Sequence, residues 1–149
     1  MKKIFIAFAF IFLSVGAVMA QIRKIPSEVT NAFKDKYPSA SDVTWKDKLT
    51  SFQASFTNNG EKMTAWFTKD DGWKETEVSK DFESLPAAVK DGFSKSKYNT
   101  EDWKKGSVTE IVTSDGGIQY KIYVEKSIVA KKFLYFGKDG QLQKEKIGI

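Results

Sequence analysis

The chain contains no cysteine and no histidine. Without cysteine there is no disulfide and no thiol nucleophile. With both residues missing, no ordinary zinc site can be assembled, and the commonest general base is absent. Arginine is nearly missing as well: Arg23 stands alone among the basic residues, the rest being lysine. Bidentate contacts to phosphate and guanine favour the arginine fork, so a nucleic-acid partner is not expected. Neither a G-x-S-x-G elbow nor a Walker loop occurs, and Asp70-Asp71-Gly72 lacks the spaced acidic ligands of a calcium loop. Glu75 and Glu77 share one strand face, but two acids on an edge-like strand read as solvated surface. No catalytic residue, metal ligand or cofactor is assigned, and the chain is not expected to be an enzyme.

Long apolar runs are also scarce. The one that exists, Ile4–Leu13, follows Lys2-Lys3 and precedes Val18-Met19-Ala20. A positive start, a short apolar stretch and small residues before a cut have the layout of a secretory signal peptide over residues 1–20. The run is too short for a membrane span, which takes roughly 20 apolar residues, and no cysteine follows Ala20 to carry a lipid. The expected mature chain, residues 21–149, is one domain without a membrane span, periplasmic or secreted. The formal net charge of +5 falls by two when Lys2 and Lys3 leave; so mild an excess is explained by solubility. An exported chain without disulfides must be held by packing, and an aromatic content of 14% supplies the means.

What the sequence does have is internal similarity. "IPSEVTNAFKDKYP" at 25–38 aligns with "LPAAVKDGFSKSKY" at 85–98, matching Ile25 to Leu85, Pro26 to Pro86, Val29 to Val89 and Phe33 to Phe93. Later, "FTKDDGWKE" at 67–75 is echoed by "FGKDGQLQKE" at 136–145, with Asp71 as an extra residue in the first copy. Two motifs recurring in the same order suggest duplication, with repeats over about 25–80 and 85–147. Each opens as a helix: Pro26 and Pro86 suit the first helical position. Val29, Ala32, Phe33 and Tyr37 form one apolar stripe that Pro38 ends. Gly92 weakens the second helix.

Strands follow each helix. Phe52, Ala54 and Phe56 alternate with polar residues, the period of a half-buried strand, and Asn58-Asn59-Gly60 is a hairpin turn. Strands are predicted at 43–48, 51–57, 61–68 and 73–79, then at 107–113, 118–125, 128–136 and 141–147. Each repeat is thus a helix followed by a four-strand meander, an α+β arrangement. Lys-Asp-Gly is the tip of the last hairpin, and the aromatic residue before it is the last core residue of the third strand.

Alternation also separates the faces. Ile118, Tyr120, Ile122 and Val124, with Leu134 and Phe136, point to the core; Met63, Ala65 and Phe67 do the same in the first repeat. The helices can cover one sheet face. The other is left with Trp66, Tyr123, Phe133 and Tyr135, interleaved with Lys121 and Lys131. Exposed aromatics rimmed by polar residues suit a protein interface, where the two lysines would steer an acidic partner. Packing of these rings on a neighbouring loop is the alternative.

The whole pattern resembles the PepSY-like, beta-lactamase-inhibitor-like proteins exported by Bacteroidetes. Its elements are a signal peptide, then twice an Ile/Leu-Pro-x-x-Val-x-x-x-Phe helix and a meander closing on aromatic-x-Lys-Asp-Gly. The resemblance implies one curved eight-stranded sheet with both helices on the convex side. The chain is expected to be a monomer that captures a protein partner, a hydrolase being one candidate, on the concave face. The absence of cysteine departs from the beta-lactamase inhibitor itself, whose units carry disulfides. A ligand or cell-wall glycan binder, and an envelope protein without a discrete site, are the other readings.

Overall fold

The computed structural model describes residues 24–70 and 72–148. The expected signal peptide, the mature start at Gln21 and the turn residue Asp71 lie outside them. Helix α1 spans Ser27–Lys36, and four strands follow: β1 Ser41–Lys48, β2 Ser51–Asn58, β3 Glu61–Thr68 and β4 Gly72–Lys80. A 3-10 turn at Phe82–Ser84, which periodicity did not signal, leads to helix α2, Ala87–Ser94. The chain closes with β5 Lys104–Thr113, β6 Ile118–Ser127, β7 Ala130–Gly137 and β8 Leu142–Ile147. Every strand pairs antiparallel with the next, giving one open eight-stranded sheet in sequence order. The fold is α+β, as expected, and β1 and β8 are its edges. No helix among the described residues is long and apolar enough to cross a membrane.

Local chemistry accounts for the elements. Pro26 and Pro86 stand one place before the helices rather than inside them, with extended ψ of 146° and 143°. Their carbonyls accept the first helical N–H groups, from Thr30 and from Val89 and Lys90, so each acts as an N-cap without a side-chain bond. α1 stops at Lys36, two residues short of Pro38, because the residue before a proline disfavours helical backbone. Asn59 and Gly60 take φ of 51° and 82°, the left-handed pair that a tight two-residue hairpin requires.

Two apolar clusters lie between the helices and the sheet. Val29 and Phe33 of α1 pack on Phe52, Ala54, Phe56, Ala65 and Phe67. Ala54 and Ala65 face one another across β2 and β3 and are fully buried; these small side chains let the Phe33 ring approach the sheet. That ring meets Phe56 edge-on at 4.9 Å and Trp45 at 5.3 Å. The second cluster gathers Leu85, Val89 and Phe93 over Val108, Ile122, Val124, Leu134 and Phe136. Phe67 and Phe136, the aromatics before each Lys-Asp turn, are fully buried.

Gly92 has a packing reason. A Cβ there would lie 1.9 Å from the carbonyl oxygen of Gly140, in the Lys138-Asp139-Gly140 turn. Gly140, at φ 80°, leaves the same small gap toward the Ala88 carbonyl. Helix α2 and the last hairpin therefore touch backbone to backbone, which only glycine permits. Several strand boundaries differ from expectation: β1 begins at Ser41 rather than 43, and β6 runs to Ser127 rather than 125. β5 begins at Lys104, three residues before 107. Ile128 and Val129, assigned to a strand for their apolar character, form a hairpin tip and are each 89% exposed.

Candidate binding face

Strand register decides which side chains share the side that the helices leave bare. Helix α1 packs on β3 and β4, and α2 on β7, over the buried alternation described above. The opposite side chains form rows across the sheet. One row runs Gln53, Trp66, Glu75 and Thr113. A second runs Ser79, Thr109, Lys121, Tyr135 and Lys144. A third pairs Tyr123 with Phe133 and Phe133 with Lys146. All six residues singled out from the sequence, Trp66, Lys121, Tyr123, Lys131, Phe133 and Tyr135, stand on this helix-free face, and each is half-buried.

They are not one cluster. Trp66 stands on β3, beside Gln53 and Glu75, with β4 and β5 between it and the tyrosines. On β6 and β7 the rings do meet: Tyr123 and Phe133 lie 5.3 Å apart, tilted by 49°. Tyr123 is fitted to its surroundings. A Cβ on Gly106 of β5 would lie 2.7 Å from its ring, and one on Gly148 3.2 Å from the ring's other side, so two glycines make room for it. Its hydroxyl donates to Glu125 at 2.9 Å, and burial raises its pKa first, with Glu125 adding to the effect. Tyr135 carries the Lys146 ammonium 5.3 Å from its ring centre. Lys131 sits opposite Glu125.

Two expectations are corrected. Glu75 and Glu77 are not on an edge: β4 lies between β3 and β5 in the middle of the sheet, and these acids are half-buried. Lys121 is not free to steer a partner, because its ammonium bonds the Glu77 carboxylate at 2.5 Å. The pair spans β5, where Ile111 is placed between Glu77 and Gln119 and is 5% exposed. An apolar residue buried on the helix-free face was not legible in the alternation.

The pair also divides the face. Toward β1 lies a concavity of about 390 Å³ lined by Thr44, Ser55, Thr57, Thr64, Ser79 and Thr109, with Lys62 and Glu77. Sequence reasoning passed over these hydroxyls because serine and threonine are ordinary on the polar side of a strand; only the register brings residues of five strands together. Toward β8 lies the aromatic and lysine-rich end. Lys144 and Lys146 of β8 belong to it and were not singled out, although their alternation around Glu145 was a signal. Among the described residues no group of three or more acids is placed to hold a metal.

The comparisons with known proteins agree with this fold. A Bacteroides fragilis protein described as BLIP-like superposes with a TM-score of 0.73 at 27% identity, over 84% of this chain and 89% of that one. A DUF2874 family protein from Bacteroides ovatus gives 0.76 at 25%, over 83% and 88%. A Bacteroides eggerthii chain described among "putative periplasmic proteins" gives 0.75 at 25%, over 83% and 89%. No curated protein matched. The family model described as beta-lactamase-inhibitor-like, PepSY-like covers residues 50–144, and the chain belongs to that family.

Proposed function

We propose that this is an exported, non-catalytic binding protein that captures a protein partner on its helix-free face. In this reading residues 1–20 are a cleaved signal peptide, and the protein works in the periplasm or outside the cell. The rest is a duplicated helix-plus-four-strand unit whose strands form one curved sheet, concave on the side away from the helices. Several observations support it. A helix followed by four strands occurs twice in the element order. The 390 Å³ concavity lies on the helix-free side. The solved structures it superposes on include one described as BLIP-like and one described as putatively periplasmic.

The observation that carries the reading is the Tyr123–Phe133–Tyr135 group, half-buried on a sheet face that no helix covers. Aromatics anchored on a rigid sheet are the side chains that carry binding energy at protein interfaces. Affinity capture from periplasmic extract of the producing cells tests it, comparing the parent with Tyr135→Ser. One partner retained by the parent and lost from the variant, with both melting alike, supports capture through this face. Equal capture by the two proteins would overturn it.

A second reading has its own observation. The hydroxyl-lined concavity offers donors and acceptors, and Trp66, outside its lining, stands two residues beyond Thr64 on the same face of β3, an arrangement that suits a cell-wall glycan. Co-sedimentation with peptidoglycan that Trp66→Ala abolishes would favour this reading over protein capture; no co-sedimentation would remove it.

A further inference from the structure

We infer that the β6–β8 end of this face takes an extended acidic segment of a protein, with carboxylates at alternate positions and an aromatic or aliphatic side chain between them. This rests on the reading of the face as partner-binding and specifies the partner's chemistry. Lys144 stands opposite Tyr135 and Lys146 opposite Phe133, both lysines exposed at the sheet edge. Among the described residues neither is within ion-pair distance of an acid. Glu145, between them in sequence, points to the other side, where it accepts the Tyr98 hydroxyl at 2.6 Å and lies 3.4 Å from Lys97. It therefore leaves the positive charge of its neighbours uncompensated. Glu125, the acid nearest the rings in the pairing, is engaged by the Tyr123 hydroxyl. Lys121, the cation nearest the middle of the sheet, is held by Glu77. Lys131 of β7 is also outside ion-pair distance of an acid among the described residues, so the free positive charge at this end belongs to Lys131 and the edge strand, beside the rings.

Spacing adds a shape. Side chains two apart on a strand are roughly 6.8 Å apart, so two lysines in this register match two acids at alternate positions of an extended segment. Successive side chains of an extended segment point to opposite sides, so a segment lying over this face between β8 and the rings would turn its acids to the lysines and its intervening side chain to Phe133 and Tyr135. Lysines on an edge strand also discourage strand-to-strand aggregation, but that role needs charge alone. It gives no reason for both lysines to share the aromatic side while the acid between them faces away.

The test uses three capped peptides on 15N-labelled protein: Glu-Trp-Glu, Gln-Trp-Gln and Lys-Trp-Lys, each flanked by glycines. The acidic peptide is expected to shift the amides of Tyr123, Phe133, Tyr135, Lys144 and Lys146, and less so as salt rises. Its affinity should drop roughly tenfold in the Lys144→Glu/Lys146→Glu variant, the scale of two exposed ion pairs turned repulsive. Lys144→Gln/Lys146→Gln should fall between that variant and the parent, and Lys90→Gln, on helix α2, should match the parent. Equal binding of the glutamine peptide at the same amides would overturn the acidic preference while leaving the face a binding site. Absence of shifts at these amides, or unchanged affinity in both Lys144/Lys146 variants, would overturn the inference outright. The capture experiment with Tyr135→Ser tests the underlying reading separately.

Discussion

Phe33 and Phe93 each fill the space between one helix and the sheet, 5% and 4% exposed, so removing either ring leaves a cavity that a packed sheet cannot close. Phe33→Ala and Phe93→Ala should each cost about 3–5 kcal/mol, read from denaturant melts; shifts well under 1 kcal/mol would contradict the helix-on-sheet packing. Thr76 is a different kind of core residue. It is buried and polar, bonded to the Tyr37 hydroxyl and accepting the Trp73 indole N–H at 2.8 Å. Thr76→Val keeps the volume but strands both partners, and should cost about 1–3 kcal/mol. On the helix-free face the residues separate by their surroundings. Tyr123→Ser vacates a ring seat between two glycines and Phe133, so about 1–3 kcal/mol is expected. Tyr135→Ser, whose ring is half-buried beside the Lys146 ammonium, should stay near 1 kcal/mol or below. At this scale the sequence was most legible where a period of two ran unbroken, as in 51–57 and 118–124. It was silent about Ile111 and misread Lys121 as a free steering charge, because both are placed by Glu77, a residue on another strand and far away along the chain.

Elements were legible where a turn residue punctuated them. Asn59-Gly60 bounded β2 and β3 to within a residue, whereas the apolar Ile128 and Val129 disguised a hairpin tip as strand. Gly92 read as a weakness in α2 because its purpose, the approach of Gly140, lies almost fifty residues further along. Gly92→Ala should therefore destabilise, despite alanine's better helix propensity: the new methyl would overlap a backbone carbonyl, an overpacking cost of about 1–3 kcal/mol. A gain in stability would show that the turn can move aside. The edge strand β8 has a separate anchor. Its Glu145 carboxylate is held below the usual range, first by the Tyr98 hydroxyl and further by Lys97 and Lys132, against a smaller opposing effect of burial. A carboxylate depressed on folding stabilises fully above its unfolded pKa and loses that contribution as pH falls through the lower folded value. Between neutral pH and the ordinary glutamate range the anchor is intact; below that range, hydrogen exchange should rise first at β8 amides. Glu145→Gln should remove this acid-dependent step, and an unchanged pH profile in that variant would rule the anchor out.

The molecule as a whole was legible by resemblance more than by pattern. Meanders of neighbouring strands follow from short turns, but the pairing of β4 with β5 spans the 3-10 turn and α2, and no local signal specifies that two four-strand sets join into one sheet. Once joined, they make a face wide enough to hold a hydroxyl-lined concavity at one end and a basic aromatic patch at the other, with the Lys121–Glu77 pair between. Lys121→Gln should leave the Glu77 carboxylate half-buried and unpaired, loosening this middle section, and it also removes an ammonium 5.8 Å from the Phe133 ring centre.

The central claim is that a protein partner is held on the helix-free face, and position-specific photocrosslinking tests it most directly. Tyr135→p-benzoylphenylalanine places a reactive ring among the aromatics, and Lys90→p-benzoylphenylalanine places one on helix α2. Irradiation in periplasmic extract should give one discrete adduct from position 135, suppressed by raised salt, and no such adduct from position 90. Adducts from position 90 alone, or from neither position, would contradict the account.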